Sequence, residues 1–214
     1  DANLPVKILL LGSSSLELLD HAAESLTGRN EKLFLPPLLF DEVIRSHDWC
    51  PETMPLSDIS RLFQEPVHTC LLQSLAFGGY PEVVTSIDKP ALLRNLSSDY
   101  LWKDILQTGL VKSPDLIKRL LSLLAHQIGA EVSVHELATQ LHMARQTVER
   151  YLDLLEQTWV IFRLPSYSTN PRKEIAKSRK IYFWDTGIRN ALLGTFSTDE
   201  FRPDIGSLWE NWVV

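Results

Sequence analysis

The stretch that most constrains this chain runs from Glu131 to Pro165, EVSVHELATQLHMARQTVERYLDLLEQTWVIFRLP. Ser133 followed by Glu136 forms a capping box and opens a helix over Val134–Leu141. A second helix is predicted from about Arg145 to Thr158, because Val148, Leu152 and Leu155 recur at helical spacing and line one face. Trp159-Val160-Ile161-Phe162 is β-branched and aromatic, which predicts a strand. Helix, tight turn, helix and strand make the core of a winged helix-turn-helix, and Ala138 is small where its two helices must approach. In such a unit the residues opening the second helix face the DNA major groove. Here they are Arg145, Gln146, Thr147 and Arg150, all able to bond base edges or phosphates.

Two positions depart from the usual pattern. His142 stands where glycine is common, because that residue often needs a positive φ. Ala144 stands where Ser or Thr would cap the second helix, weakening its start by about 1 kcal/mol. A competing reading makes the second helix a protein contact, since Glu149, Asp153 and Glu156 leave it only weakly basic.

At 214 residues the chain has room for one large or two small domains with their own cores. A net charge of −6 argues against wholesale polyanion binding and confines any nucleic-acid site to a local patch. Cys50 and Cys70 do not stand at metal-ligand spacing, and two free thiols fit a reducing cytoplasm. The start, Asp1-Ala2-Asn3-Leu4-Pro5, does not read as a signal peptide, and no apolar run approaches a membrane span.

Val6–Leu11 (VKILLL) is a continuous apolar run ending at Gly12, as a buried parallel strand would be. A helix follows through Leu26, and Lys32–Leu35 predicts a second strand closed by Pro36-Pro37. One such α/β unit cannot bury both faces of a sheet, so the chain is expected to begin inside a larger domain. Asp41 is expected to cap a helix to Ser46, and Ser57 to cap another, followed by one at Val67–Phe77. Gly78-Gly79-Tyr80-Pro81 reads as a helix stop. Pro90 opens a long helix with Leu93, Leu96, Tyr100 and Ile105 buried and Asp99, Lys103 and Asp104 solvated. Ser113 caps Pro114–Gln127. Beyond Pro165, Arg172, Lys173, Lys177, Arg179 and Lys180 concentrate positive charge where a wing would lie, and basic wings contact phosphates. Ile181–Trp184 predicts a strand, and Asp185-Thr186-Gly187 opens a helix through Leu193. A terminal helix holds Trp209 and Trp212, exposed unless they pack on the winged helix or a second chain. His21, His47, His68, His126, His135 and His142 are scattered, without ligand or triad spacing.

KILLLGSSSLELL, ESLTGR, LFLPPLLFDEV, FGGYPEVV, KSRKIYFWDTG and GSLWENWV, in that order, resemble a family of prokaryotic AAA+ ATPases with a winged-helix-containing C-terminal domain. The resemblance covers nearly the whole chain. It implies an organisation of 1–45 as a remnant of the parallel α/β ATPase sheet, 46–112 as a helical lid, 113–184 as the winged helix-turn-helix and 185–214 as C-terminal helices. Ser13 or Ser14 would then orient the attacking water, and Arg29 would match the arginine finger. Left to local physics alone, the serines read as a helix N-cap and Arg29 as a solvated helix-end cation. Glu210 would be the first acidic residue of a nuclease-like fold whose partners the sequence lacks.

The phosphate loop, G-x-x-x-x-G-K-[ST], is missing from the sequence. ATP and magnesium therefore belong to the family's complete ATPase, and this chain alone is expected to hydrolyse nothing and hold no cofactor. The leading expectation is a mainly α protein with small β elements (α+β), cytoplasmic, that couples nucleotide state to a winged-helix interaction module. The alternatives are a stand-alone DNA-binding regulator and a protein-interaction or self-association module, with no membrane partner.

Overall fold

Why the chain folds around its middle is visible in one helix. Ile117, Leu120, Leu121, Leu124 and Ala125 recur at helical spacing and form an apolar stripe buried along the helix Pro114–His126. That stripe anchors the largest core cluster, which also takes Leu137, Leu141, Val148, Leu152, Leu155, Ile161 and Phe183. The computed structural model describes residues 33–100, 105, 113–165 and 179–214, apart from the side chains of 99 and 100. Its described helices, in chain order, are α1 (Phe40–Arg45), α2 (Leu56–Leu62), α3 (Gln64–Phe77), α4 (Pro81–Thr85), α5 (Lys89–Asn95), α6 (Pro114–His126), α7 (Val134–Leu141), α8 (Arg145–Gln157), α9 (Thr186–Leu193) and α10 (Ile205–Val213). The strands are β1 (Glu131–Val132), β2 (Ile161–Pro165) and β3 (Arg179–Phe183), and they form one antiparallel sheet in the order β1-β3-β2. The protein is mainly helical with a small sheet, the α+β class expected from its sequence.

β3 is the central strand: Val132 pairs with Arg179, and Ile161 with Phe183. On its far end the buried Asn211 completes the pairing that no described strand supplies. Its amide oxygen accepts from the Phe183 N–H at 2.7 Å and its nitrogen donates to the Phe183 carbonyl at 2.9 Å.

α9 packs against α3, α5 and α6, and it does so with polar side chains. A helix leaves its last carbonyls without intrahelical donors. Thr186 donates to the Ser74 carbonyl at 3.0 Å, and Asn190 donates to Leu75 and Ala76 at 3.0 and 2.9 Å, all in the last turn of α3. Arg189 donates to the Ala125 carbonyl of α6 at 2.8 Å. Gly187 makes the approach possible, because a Cβ there would lie 2.1 Å from the Phe77 carbonyl oxygen. Asp185, the N-cap of α9, accepts from Ile188 at 2.9 Å and reaches across to accept from the Gly79 N–H at 2.7 Å. The Gly78-Gly79 turn is thereby bound to α9 rather than being a bare helix stop.

Several expectations shift by a few residues for local reasons. Leu39, not Asp41, is the N-cap of α1; Glu42 reaches back to accept from the Leu39 N–H at 2.8 Å, and Asp41 instead pairs with Arg45 at 2.9 Å. Pro55, not Ser57, precedes α2, and α3 starts at Gln64 rather than Val67. Asp88 caps α5 by accepting from Ala91 at 3.0 Å, and the helix passes into a π-helical turn at Leu96–Tyr100. Leu93 and Ile105 are buried as expected and Leu96 is half-buried. Residues 33–35, expected to end a strand, take no regular structure. Leu33 and Leu35 are exposed, with no neighbouring strand among the described residues to pair them. The expected strand Val6–Leu11, its following helix, and the side chains of Asp99, Tyr100, Lys103 and Asp104 lie outside what is described.

Candidate nucleic-acid interface

Ser133 opens α7 as the expected N-cap, accepting from the Glu136 N–H at 3.4 Å, but the return bond from Glu136 that would complete a capping box is not formed among the described residues. Leu137, Ala138 and Leu141 turn inward. The helix ends in a Schellman motif: the Met143 N–H reaches the Ala138 carbonyl at 2.9 Å, and the His142 N–H reaches Thr139 at 3.3 Å. His142 takes the left-handed conformation at φ 53 and ψ 44, the role glycine usually fills. Ala144 is extended and gives α8 no side-chain cap. α8 then buries Val148, Tyr151, Leu152, Leu154 and Leu155 against α6 and α7, which turns its opposite face to solvent.

That outward face carries the residues singled out in the sequence. Arg145, Gln146 and Arg150 are exposed, and Thr147 is half-buried. The Arg150 guanidinium lies 5.7 Å from the Tyr151 ring centroid. Two open grooves flank His142 and Met143. One, of about 400 Å³, is lined by Ser113, Thr147 and Arg150; the other, of about 440 Å³, by His135, Thr139 and Arg145.

The acidic residues of α8 do not oppose this face freely. Arg163 on β2 donates to Asp153 at 2.7 Å and twice to Oε2 of Glu156, from Nε at 2.9 Å and from a terminal nitrogen, while its backbone N–H donates to Glu156 Oε1 at 3.1 Å. Burial disfavours the Arg163 charge, but the hydrogen bonds and charges of Glu156 and Asp153 outweigh it and push its pKa up. Glu149 remains exposed on the helix.

The cationic run after Pro165 divides. Arg179 is exposed at the start of β3. Lys180 is not a free cation: it donates to Glu210 at 2.6 Å, and Tyr182 donates to the same oxygen at 2.6 Å. Those two bonds hold Glu210 below the usual carboxylate range, and the Glu210 bond raises Lys180. Glu210, expected as the first acid of a nuclease-like site, is thus a partner for the sheet. Arg172, Lys173 and Lys177 lie outside the described residues, as do Arg29, Ser13 and Ser14. No group of three or more His, Cys, Asp and Glu side chains suited to a metal occurs among the described residues. None of the described helices is long and apolar enough to cross a membrane.

At the C-terminus, Trp212 meets Phe40 edge-on at 5.2 Å, so α10 packs on α1 rather than standing apart, while Trp209 stays 45% exposed. Sequence reading placed Asp185 only at the opening of α9 and missed its reach to Gly79, as it missed Arg189, Asn190 and Asn211, the other buried polar groups that join distant segments.

Comparison with known proteins places these features in a lineage. The chain is 31% identical to an uncharacterised protein of Mycobacterium tuberculosis over 216 residues, which cover 99% of this chain and 44% of that protein. It is 27% identical to an uncharacterised protein of Methanocaldococcus jannaschii over 215 residues, covering 96% of this chain and 46% of the relative. The chain therefore spans less than half the length of these curated relatives. No solved structure matches it. Residues 69–199 match the domain of unknown function DUF8612, so more than half of the chain, including α7, α8 and the sheet, falls within it. The protein belongs to the DUF8612 family.

Proposed function

We propose that residues 113–184 are a winged helix-turn-helix that binds duplex DNA, within a longer protein whose AAA+ ATPase core, implied by the resemblance of residues 1–45, drives it through nucleotide state. The observation that carries the reading is the charge layout of α8. Arg145, Gln146 and Arg150 face solvent at the start of the helix, where Arg145 and Arg150 enter no ion pair among the described residues. Meanwhile Arg163 takes up Asp153 and Glu156 further along. A helix presenting arginine and glutamine at its first turns is suited to guanine and adenine edges in the major groove. The hairpin β2–β3 would be the wing, with Arg179 and the intervening Arg172, Lys173 and Lys177 toward phosphates. The net charge of −6 confines binding to this patch, and the phosphate contacts its cations make would give binding its salt dependence. ATP and Mg²⁺ would be held by the phosphate loop of the longer protein, with Ser13, Ser14 and Arg29 completing that site.

The test is fluorescence anisotropy of the 214-residue chain with labelled duplexes over a range of salt concentrations. Arg145→Ala should weaken binding to the preferred duplex by about 1–3 kcal/mol, and Arg150→Ala should lower the salt slope by about one. Binding indifferent to both substitutions would remove α8 from the interface. Oligomers equally indifferent to both would point to the protein-interaction alternative.

A further inference from the structure

The turn leaving α8 is built unlike an ordinary helix end. The Val160 N–H reaches the Leu155 carbonyl at 3.0 Å and the Trp159 N–H reaches Glu156 at 3.2 Å, a second Schellman motif. Its left-handed residue is Trp159, at φ 57. Glycine is usual there, and a bulky side chain at positive φ is an outlier. Burial alone does not explain the choice, since Trp159 is 38% exposed. Its side chain packs within a set of rings. Its centroid lies 4.5 Å from Phe34 and 5.6 Å from Trp184, and Phe34 lies 4.9 Å from Trp184. The cluster continues through Phe162, 4.9 Å from Trp184 and 5.5 Å from Tyr182. Within it the buried Trp184 indole N–H has no hydrogen-bond partner among the described residues.

Phe34 is the member that comes from elsewhere in the chain. It sits in the irregular segment ahead of α1, itself 46% exposed between Leu33 at 79% and Leu35 at 93%, and its ring contacts with Trp159 and Trp184 join that stretch to the hairpin. The seated arrangement thus keeps two local penalties, a left-handed tryptophan and an unpaired buried N–H, beside one removable ring.

We infer that Phe34 is a releasable joint linking the segment ahead of α1 to the turn between α8 and β2. When seated, it holds Trp159 left-handed and fixes the angle at which the hairpin leaves α8. When withdrawn, Trp159 relaxes, water reaches the Trp184 N–H, and the last turn of α8 and the start of β2 loosen. A displacement of the N-terminal segment is thereby passed to the hairpin without any contact at the exposed face of α8. The inference stands apart from the DNA-binding reading, because its readout needs no nucleic acid.

Hydrogen exchange of the full chain tests it, with α6 as an internal reference. In Phe34→Ala the amides of Trp159, Val160 and the last turn of α8 should exchange about tenfold faster, while those of α6 stay within about twofold of wild type. Phe34→Leu, which keeps apolar volume without a ring, should give a smaller acceleration at the same amides. Trp159→Gly supplies the residue the motif favours, so its exchange should not rise, and adding Phe34→Ala to it should change nothing further. Exchange in Phe34→Ala within about twofold of wild type at the α8 turn would overturn the joint. So would equal acceleration over α6 in both Phe34 variants, or a Trp159→Gly variant that loosens the turn as much as Phe34→Ala does.

Discussion

Asp185 offers a quantitative test of what holds the α9 hub together. Its side chain is buried at 4% exposure and accepts N–H bonds from Gly79 and Ile188. Burial raises its pKa from the ordinary 3.8 to about 6, although the surrounding backbone N–H groups pull the other way. In the unfolded chain the group titrates near its ordinary value. Between about pH 4 and about pH 6 the folded protein therefore binds more protons than the unfolded one, and stability falls as pH rises through that window. The contribution is fully present below the window and gone above it. A shift of roughly two units at about 1.4 kcal/mol each amounts to about 3 kcal/mol. Asp185→Asn cannot titrate; it keeps one acceptor oxygen but turns an NH₂ toward one of the two donors. That penalty, about 1–3 kcal/mol, does not vary with pH. Urea titrations of both proteins between about pH 4 and about pH 7 compare them directly, since every other titrating group is common to the two. The advantage of the wild type over Asp185→Asn should shrink by about 3 kcal/mol on going from the acid to the neutral end. A gap that is constant, or that widens with pH, would show that the N–H donors outweigh burial.

Other perturbations probe the sheet and the turn. Asn211→Ala leaves the Phe183 N–H and carbonyl unpaired in a buried setting, so urea unfolding should show a loss of about 2–5 kcal/mol; a loss below about 1 kcal/mol would mean that water replaces the side chain. His142→Gly puts the residue suited to φ 53 at the end of α7 and should add about 0.5–1 kcal/mol, seen as a midpoint rise of about 1–4 °C in thermal unfolding. No rise would mean that the His142 side chain contributes as much as its backbone strain removes.

The α7–turn–α8 unit was legible because its determinants are local. Ser133 capping, inward residues at helical spacing and a left-handed His142 all depend on neighbours within one or two turns, and sterics and hydrogen bonding settle them wherever the segment sits. The exposure of Arg145, Gln146 and Arg150 followed from the same periodicity. Trp159 failed by that standard: an aromatic, β-branched run reads as strand, yet its first residues complete the Schellman turn and β2 starts only at Ile161.

What tertiary structure alone decided are pairings between residues far apart in the chain. The sequence shows Lys180 within a basic run, but folding brings Glu210 to it; it shows Asp185 as a helix cap, but folding adds the Gly79 N–H to its partners. It shows acids on α8, but only the return of β2 presents Arg163 to them. Periodicity records which face of an element is apolar, because burial acts on each element with a fixed geometric repeat. It carries no record of which polar group meets which, because that depends on the relative placement of whole elements, and each such meeting is fixed by the need to pair a charge or hydrogen-bonding group once water has been excluded.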